Sequence, residues 1–309
     1  MRIVFMGTPE FALPSLRILL ENGYEVPAVV TAPDKPRGRG QKVSSTPIKE
    51  FAQNHKLTIL QPENLRDSGF LKSLTDLEPD LCVVVAFRIL PKEVFTIPPN
   101  GTFNLHASLL PRFRGAAPIQ WAIIRGEKET GVTTFFLREK VDTGSILLQA
   151  RVKIGPEETA GELHDKLAEV GAEIVLQTIR LIGLGKVQPR PQDDSLASPA
   201  PKIFKEDCKI DWSKSAGEVH NLIRGLSPSP CAWTMHHGTT LKIYRSAVGT
   251  QGEESMSPGK VVLVNKESLV VGTGHGSLAI LELQQEGKKR LDVEEFLRGY
   301  NVNREDVLG

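Results

Sequence analysis

The stretch FNLHASLLPRFRGAAP, residues 103–118, starts as a β-strand and restarts as a helix. Strand alternation puts Phe103 and Leu105 on one face and Asn104 and His106 on the other. Pro111 breaks the strand pattern, Gly115 permits a turn, and Pro118 suits the first turn of a helix continuing over Gln120 to Arg125. An amide and an imidazole on one face of a strand end suit acyl chemistry. Asn104 can donate a hydrogen bond to a developing oxyanion, and His106 can move a proton.

Working outward, Val132 to Leu137 and Ile146 to Ile154 are apolar runs on either side of an acidic turn, Val141-Asp142-Thr143-Gly144. Asp142 lies 36 residues after His106. On the other side, Asp80 to Phe87 (DLCVVVAF) is continuously apolar, as a central parallel strand buried on both faces would be. Arg88 to Pro91 then forms a loop at the carboxyl end of that strand, the edge at which open α/β sheets bind ligands. Earlier still, Arg2 to Met6, a helical pattern ending at Gly23, and Val26 to Thr31 read as a β-α-β unit. Helices over Thr46–His55 and Asp67–Thr75, with a short strand Thr58–Leu60 between them, extend the alternation. The class is therefore α/β, a doubly wound, mostly parallel Rossmann-like sheet. Gly7 is followed by Thr-Pro-Glu, so the dinucleotide fingerprint G-x-G-x-x-G is absent and no NAD is expected.

Residues 33–42 carry four basic residues against one acid, and two glycines with two prolines argue against helix or strand there. Composition alone favours a solvated, mobile loop, with a flexible arm that closes on a polyanion as the functional alternative. Thr159 to Leu184 has helical spacing, and His164 within it is given no role. Residues 189–205, with Pro189, Pro191, Pro199 and Pro201, have the composition of an extended linker. Beyond it, Ser215-Ala-Gly-Glu218 is a capping-box pattern opening a short helix. Close-spaced β runs follow at 232–235, 240–248, 260–264, 269–271 and 278–283, and suggest a small barrel with Gly272–Gly276 as a hairpin turn. The domains are thus 1–188, a linker 189–205, and 206–309.

The chain has 309 residues, enough for two domains, with 40% hydrophobic and 24% charged residues, an ordinary globular balance. A net charge of +1 means that any nucleic-acid contact must rest on local basic patches. Cys82, Cys208 and Cys231 are odd in number and far apart, which excludes a disulfide framework or a C-x-x-C metal pair and fits a reducing compartment. No apolar run reaches membrane-span length, and Met1 leads straight into a strand, so a cytoplasmic protein without membrane contact is expected. His236-His237 is an adjacent pair whose side chains would point to opposite faces of a strand, so no metal site is expected there or elsewhere.

The motif NLHASLLPRFRGAAPIQ followed by DTG resembles the formyltransferases that use 10-formyltetrahydrofolate, and within them most closely those acting on methionyl-tRNA. IDWS at 210–213, the Pro228 to Trp233 segment and Gly287-Lys288-Lys289 resemble the C-terminal domain of the same enzymes, so the likeness runs from about Arg2 to Leu297. It implies transfer of a formyl group from 10-formyltetrahydrofolate to the amino group of initiator methionyl-tRNA, with Asn104, His106 and Asp142 catalytic. Direct amine attack through a tetrahedral intermediate needs neither a covalent enzyme intermediate nor a metal. Asn104 would stabilise the oxyanion, His106 would shuttle the proton, and Asp142 would orient His106 or a bridging water. The resemblance places the folate against Phe87, Arg88, Ile89 and Leu90 and against Ser108, Leu109, Leu110 and Pro111. It assigns tRNA contact to Arg39 in the basic arm, assisted by Arg37 and Lys42. It also makes the C-terminal domain an open barrel of the oligonucleotide-binding type. The cations of that barrel, Arg245, Lys288, Lys289 and Arg290, are candidates for the tRNA backbone. A monomer is expected. Two segments depart from the tRNA enzymes: Phe87-Arg-Ile-Leu-Pro91, where those enzymes have Tyr-Gly-Leu-Ile-Leu-Pro, and Phe136-Leu-Arg-Glu-Lys-Val141, where Met and Gly are commoner. A formyltransferase for a small amine and a formyltetrahydrofolate hydrolase-type unit are the competing readings.

Overall fold

The computed structural model describes residues 1–37, 42–249 and 257–309, and at 35–37 and 42–43 the backbone alone. The chain divides into two compact units. One comprises Met1–Gly115, Thr130–Val152 and His164–Ala200; the other comprises Ala116–Glu129, Lys153–Leu163 and Pro201–Gly309.

In chain order the elements begin with β1 Ile3–Gly7, α1 Leu13–Glu21, β2 Ala28–Val30, β3 Lys35–Arg37 and β4 Lys42–Ser44. Then come α2 Pro47–Asn54, β5 Thr58–Leu60, α3 Ser68–Asp76, β6 Leu81–Val85, α4 Lys92–Phe95 and β7 Thr102–His106. α5 Pro118–Ile124, β8 Glu129–Phe136, β9 Ile146–Lys153 and α6 Ala160–Gly183 follow. The last elements are α7 Ala216–Leu226, β10 Ala232–His236, β11 Thr239–Val248, β12 Val261–Val264, β13 Leu269–Gly272, β14 Ser277–Gln285, β15 Arg290–Asp292 and α8 Val293–Gly299.

The first unit is built on a seven-stranded sheet of order β5-β2-β1-β6-β7-β8-β9. Strands β5, β2, β1, β6 and β7 run parallel, and β8 pairs antiparallel with β7, so the sheet is mixed. Strands β1 and β6 are buried along their whole length, as apolar runs covered on both faces must be. Val4, Met6, Cys82 and Val84 pack on one face with Phe70, Leu74, Leu90 and Val94. Each such side chain contributes roughly 1.5–3 kcal/mol on full burial. The chain runs outward from β1 to β2 and β5, then returns beside β1 as β6. That reversal is where an open α/β sheet offers a crevice at its carboxyl edge. A Cβ on Gly7, at the end of β1, would be 2.8 Å from the Ala12 Cβ, so glycine lets the chain turn tightly there.

Two expectations change. Lys35–Arg37 pairs antiparallel with Lys42–Ser44, so strand does occur in the basic arm. The glycine-bearing residues 38–41 separate two short extended pieces that can pair as a ribbon. Arg39 lies outside the described residues, as do the side chains of Arg37 and Lys42. The second change concerns residues 190–200, which run as a strap fixed to the first unit. Arg190 and Ile146 exchange backbone hydrogen bonds of 2.8 Å, Arg114 N–H donates to Ser198 O, and Ala200 N–H donates to Arg114 O at 2.7 Å.

In the second unit the antiparallel strands run β10-β11-β14-β13-β12, with β15 on β14. The Ser215 hydroxyl caps α7 and Glu218 answers on the Ser215 backbone, completing the capping box. α7 packs its Val219 and Ile223 into a core with Leu241, Ile243, Leu278 and Ile280. Trp212, buried there, donates its indole N–H to the Thr234 hydroxyl at 3.0 Å. All three cysteines are free and buried, and burial pushes the Cys82 and Cys231 thiols up to about 12. They are core residues, as expected of small apolar side chains. Among the described residues no helix is long and apolar enough to cross a membrane.

Candidate active site

Strand β7 brings the two central side chains to the carboxyl edge of the sheet. Its register with β6 sets Asn104 beside Val84 and Leu105 beside Val85, so the 86–90 loop leaves the sheet next to the end of β7. Asn104 is half-buried, and its carboxamide has no hydrogen-bond partner among the described residues. His106, two residues on along the same face, is 6% exposed. Its Nε2 is 2.8 Å from the Phe113 carbonyl, which can only accept, so Nε2 carries a proton. In the neutral ring that leaves the Nδ1 lone pair free, and Nδ1 faces the Asp142 carboxylate at 3.8 Å.

The separation of 3.8 Å is beyond a hydrogen bond, so Asp142 does not hold the ring directly. Its Oδ2 accepts instead from the Gly115 N–H at 2.9 Å. Gly115 has φ +127°, and a Cβ there would be 2.5 Å from the Ala200 carbonyl oxygen, so only glycine brings this N–H to the carboxylate. The acidic turn is itself held from the strap. Gln192 donates to the carbonyls of Asp142 and Gly144, both at 2.8 Å, while its own carbonyl accepts two hydrogen bonds from Arg114, at 3.1 and 2.7 Å. Arg114 also reaches Asp194 at 2.7 Å. Sequence reading missed Gln192 and Arg114, because a polar side chain in a proline-rich stretch looks like spacer. The doublet Arg112-Phe-Arg114 beside Gly115 was the available signal.

The loop after β7 is fixed by polar contacts with β8 and β9. Thr133 Oγ1 donates to Ser108 O and accepts from Leu110 N–H, while Gln149 donates to Leu110 O. Ser108 Oγ donates to Arg112 O at 2.6 Å. Leu110 is buried with Phe135 and Ile146. Of the 87–90 loop, Leu90 is a core residue, Phe87 packs at the margin of the same core, and Ile89 is 73% exposed. Arg88 turns back onto the Pro62 and Glu63 carbonyls, at 2.7 and 3.0 Å, and lies over the Phe87 ring. Burial pulls its guanidinium below its ordinary pKa. Ala86, Phe113 and Asp142 all take positive φ (48°, 59° and 53°), a conformation uncommon outside glycine and frequent at functional sites.

A sequence model described as Formyl transferase matches residues 1–179, and one described as Formyl transferase, C-terminal domain, matches residues 202–301. The chain belongs to the formyl transferase family. It is 49% identical to the methionyl-tRNA formyltransferase of Porphyromonas gingivalis, covering 98% of this chain and 97% of that protein. It is 47% identical to the methionyl-tRNA formyltransferase of Acetivibrio thermocellus over the full length of both. In fold it is similar to WlaRD, a sugar 3N-formyl transferase crystallised in the presence of dTDP and 5-N-formyl-THF. That structure has a TM-score of 0.69 and 21% identity, over 94% of this chain and 99% of the other.

The four cations expected on the second unit of this formyl transferase differ in availability. Arg245 is bound to Glu162 at 2.7 Å, and Arg290 is paired with Glu282 and stacked 4.3 Å over the Tyr244 ring. Lys288 and Lys289 are exposed in the turn between β14 and β15, without a charged partner among the described residues. A further basic surface went unread in the sequence. The Lys205 and Lys209 ammonium groups each lie 5.9 Å from the Trp233 ring centroid, and Lys202 lies over Phe204, which is 57% exposed.

Proposed function

We propose that the chain transfers a formyl group from 10-formyltetrahydrofolate to the free amino group of initiator methionyl-tRNA. The observation that carries this reading is the unpartnered Asn104 carboxamide on the same strand face as His106, whose Nδ1 is turned to Asp142. Attack by a neutral amine on a formyl carbon makes the oxygen negative and the nitrogen positive. The Asn104 N–H donates to the oxygen, and its neutrality leaves the nucleophile unquenched. His106 accepts the amine proton at Nδ1 and becomes an imidazolium, held through Nε2 by the Phe113 carbonyl with the Asp142 carboxylate nearby. The proton then passes to the departing folate nitrogen as the tetrahedral carbon collapses. No step in this sequence calls for a metal.

The folate is assigned to the crevice bordered by residues 87–90 and 108–111. Ile89 offers exposed apolar surface for a flat ring, whereas Leu90 and Leu110 act from the core by fixing the backbone of the two loops. On the tRNA side the reading uses Arg37, Arg39 and Lys42 of the arm and Lys288 and Lys289 of the second unit. Arg245 and Arg290 would exchange their carboxylates for phosphates. The Lys202–Lys209 surface with Trp233 and Phe204 has the cation-plus-aromatic character of single-strand contacts. On this reading the domains are 1–188 and 206–309, the former a doubly wound catalytic domain. The second is an oligonucleotide-binding type of open barrel, and the protein acts as a cytoplasmic monomer.

The test is transfer of labelled formyl from 10-formyltetrahydrofolate to a panel of acceptors. Charged initiator methionyl-tRNA should be formylated, and an aminosugar nucleotide or glycinamide ribonucleotide should not. Labelled small amine or free formate in place of formyl-methionyl-tRNA would overturn the substrate and retain the site.

A further inference from the structure

His236 and His237 were expected to face apart, and they do not. Strand β10 ends at His236, and the register pairs His236 with Thr239, leaving His237-Gly238 as a two-residue turn. Both turn residues have positive φ, 46° and 76°, the signature of a type I′ hairpin. The alternation of faces stops at the turn, so the two rings come together with centroids 4.2 Å apart. Both Nε2 atoms point at one carboxylate oxygen, Asp306 Oδ2, from 3.1 Å for His236 and 3.6 Å for His237. One donor atom from each of the three residues lies within 4.8 Å of the others.

We propose that His236, His237 and Asp306 bind a divalent transition cation of the zinc class. Two imidazoles and a carboxylate are the ligand types such an ion prefers, and three protein ligands leave a fourth position for water. At metal–ligand distances of about 2.0–2.1 Å, tetrahedral neighbours stand roughly 3.3–3.4 Å apart, which the 3.1 and 3.6 Å separations bracket. The supporting contacts are those of a metal site. Tyr300 OH is 3.1 Å from His236 Nδ1, which fixes the ring and turns Nε2 toward the ion, and Asn303 N–H donates to Asp306 Oδ2 at 2.7 Å. The His236 side chain is fully buried and that of His237 is 69% exposed, so the open position faces solvent.

The carboxylate arrives on a fixed backbone. Val261 N–H donates to Asp306 O at 2.8 Å, Leu308 N–H to Gly259 O at 2.8 Å, and Gly309 N–H to Met235 O at 3.0 Å. The ion would therefore tie the β10–β11 turn to the C-terminal tail, with the neutral His236 ring offering its Nε2 lone pair and keeping its proton on Nδ1 toward Tyr300 OH. This site is independent of the formyl-transfer reading.

The experiment titrates the full-length, tag-free protein with Co²⁺, following ligand-field absorption, and then displaces it with Zn²⁺. Wild type, His237→Ala and Asp306→Asn are compared. His237 is exposed, and the metal-free melting curve of each variant separates any cost of alanine at this positive-φ position from loss of the ion. The proposal predicts one saturable equivalent in wild type, at least ~10-fold weaker uptake in each variant, and a Zn²⁺-dependent rise in melting temperature that His237→Ala lacks. Absence of saturable uptake in wild type, or uptake in His237→Ala equal to wild type, would overturn it.

Discussion

Asp142 lies 3.8 Å from His106 because its carboxylate is claimed by the Gly115 N–H, and this shapes what each residue can do. The carboxylate supplies a fixed charge beside Nδ1, and the Phe113 carbonyl sets the tautomer. Orientation of the ring thus comes from the loop backbone. Gln192 belongs to the same arrangement, since it holds the acidic turn through two carbonyls. Replacing Gln192 with Ala should lower kcat roughly 10- to 100-fold, the scale of a small misplacement of catalytic groups. KM for the folate and the melting temperature should change little, because Gln192 lies on the strap and outside the main core. Steady-state kinetics with thermal unfolding of the same preparation checks this; equal kcat would show that the turn keeps its place without the strap.

At the scale of elements, what the sequence shows clearly is what hydrophobic periodicity records. Continuous apolar runs marked β1 and β6, alternation marked β7, and Ser215 with Glu218 marked the start of α7. The capping box predicts that Ser215→Ala loses about 0.5–2 kcal/mol of stability, measured by urea unfolding. The strap escaped because its bonds are polar and non-local: Gln192 meets partners 48 and 50 residues away, and four prolines mimic a spacer. The convergence of His236 and His237 escaped for another reason. Strand alternation ends at His236, and the positive φ of the following turn reverses the side-chain direction. The acidic turn was legible as a motif, but its tethering to Gly115 was not, since the donor is a backbone N–H 27 residues earlier in the chain.

At the scale of the whole molecule, a net charge of +1 directs polyanion binding to local patches. Lys288 and Lys289 have their charges available, whereas Arg245 and Arg290 must first give up Glu162 and Glu282. Reversing both lysines to Glu should raise KM for the tRNA and lower the slope of log KM against log salt by roughly 0.7–0.9 per lost phosphate contact. An unchanged slope would remove them from the contact surface. The central claim is that Asn104 and His106 perform the transfer itself. It is tested most directly by single-turnover transfer of labelled formyl to methionyl-tRNA at saturating folate, comparing wild type with Asn104→Ala and His106→Ala. The expected result is a fall of roughly 100- to 1,000-fold for Asn104→Ala and roughly 100- to 10,000-fold for His106→Ala, with tRNA binding intact in both. A transfer step within a few-fold of wild type in either variant would contradict it.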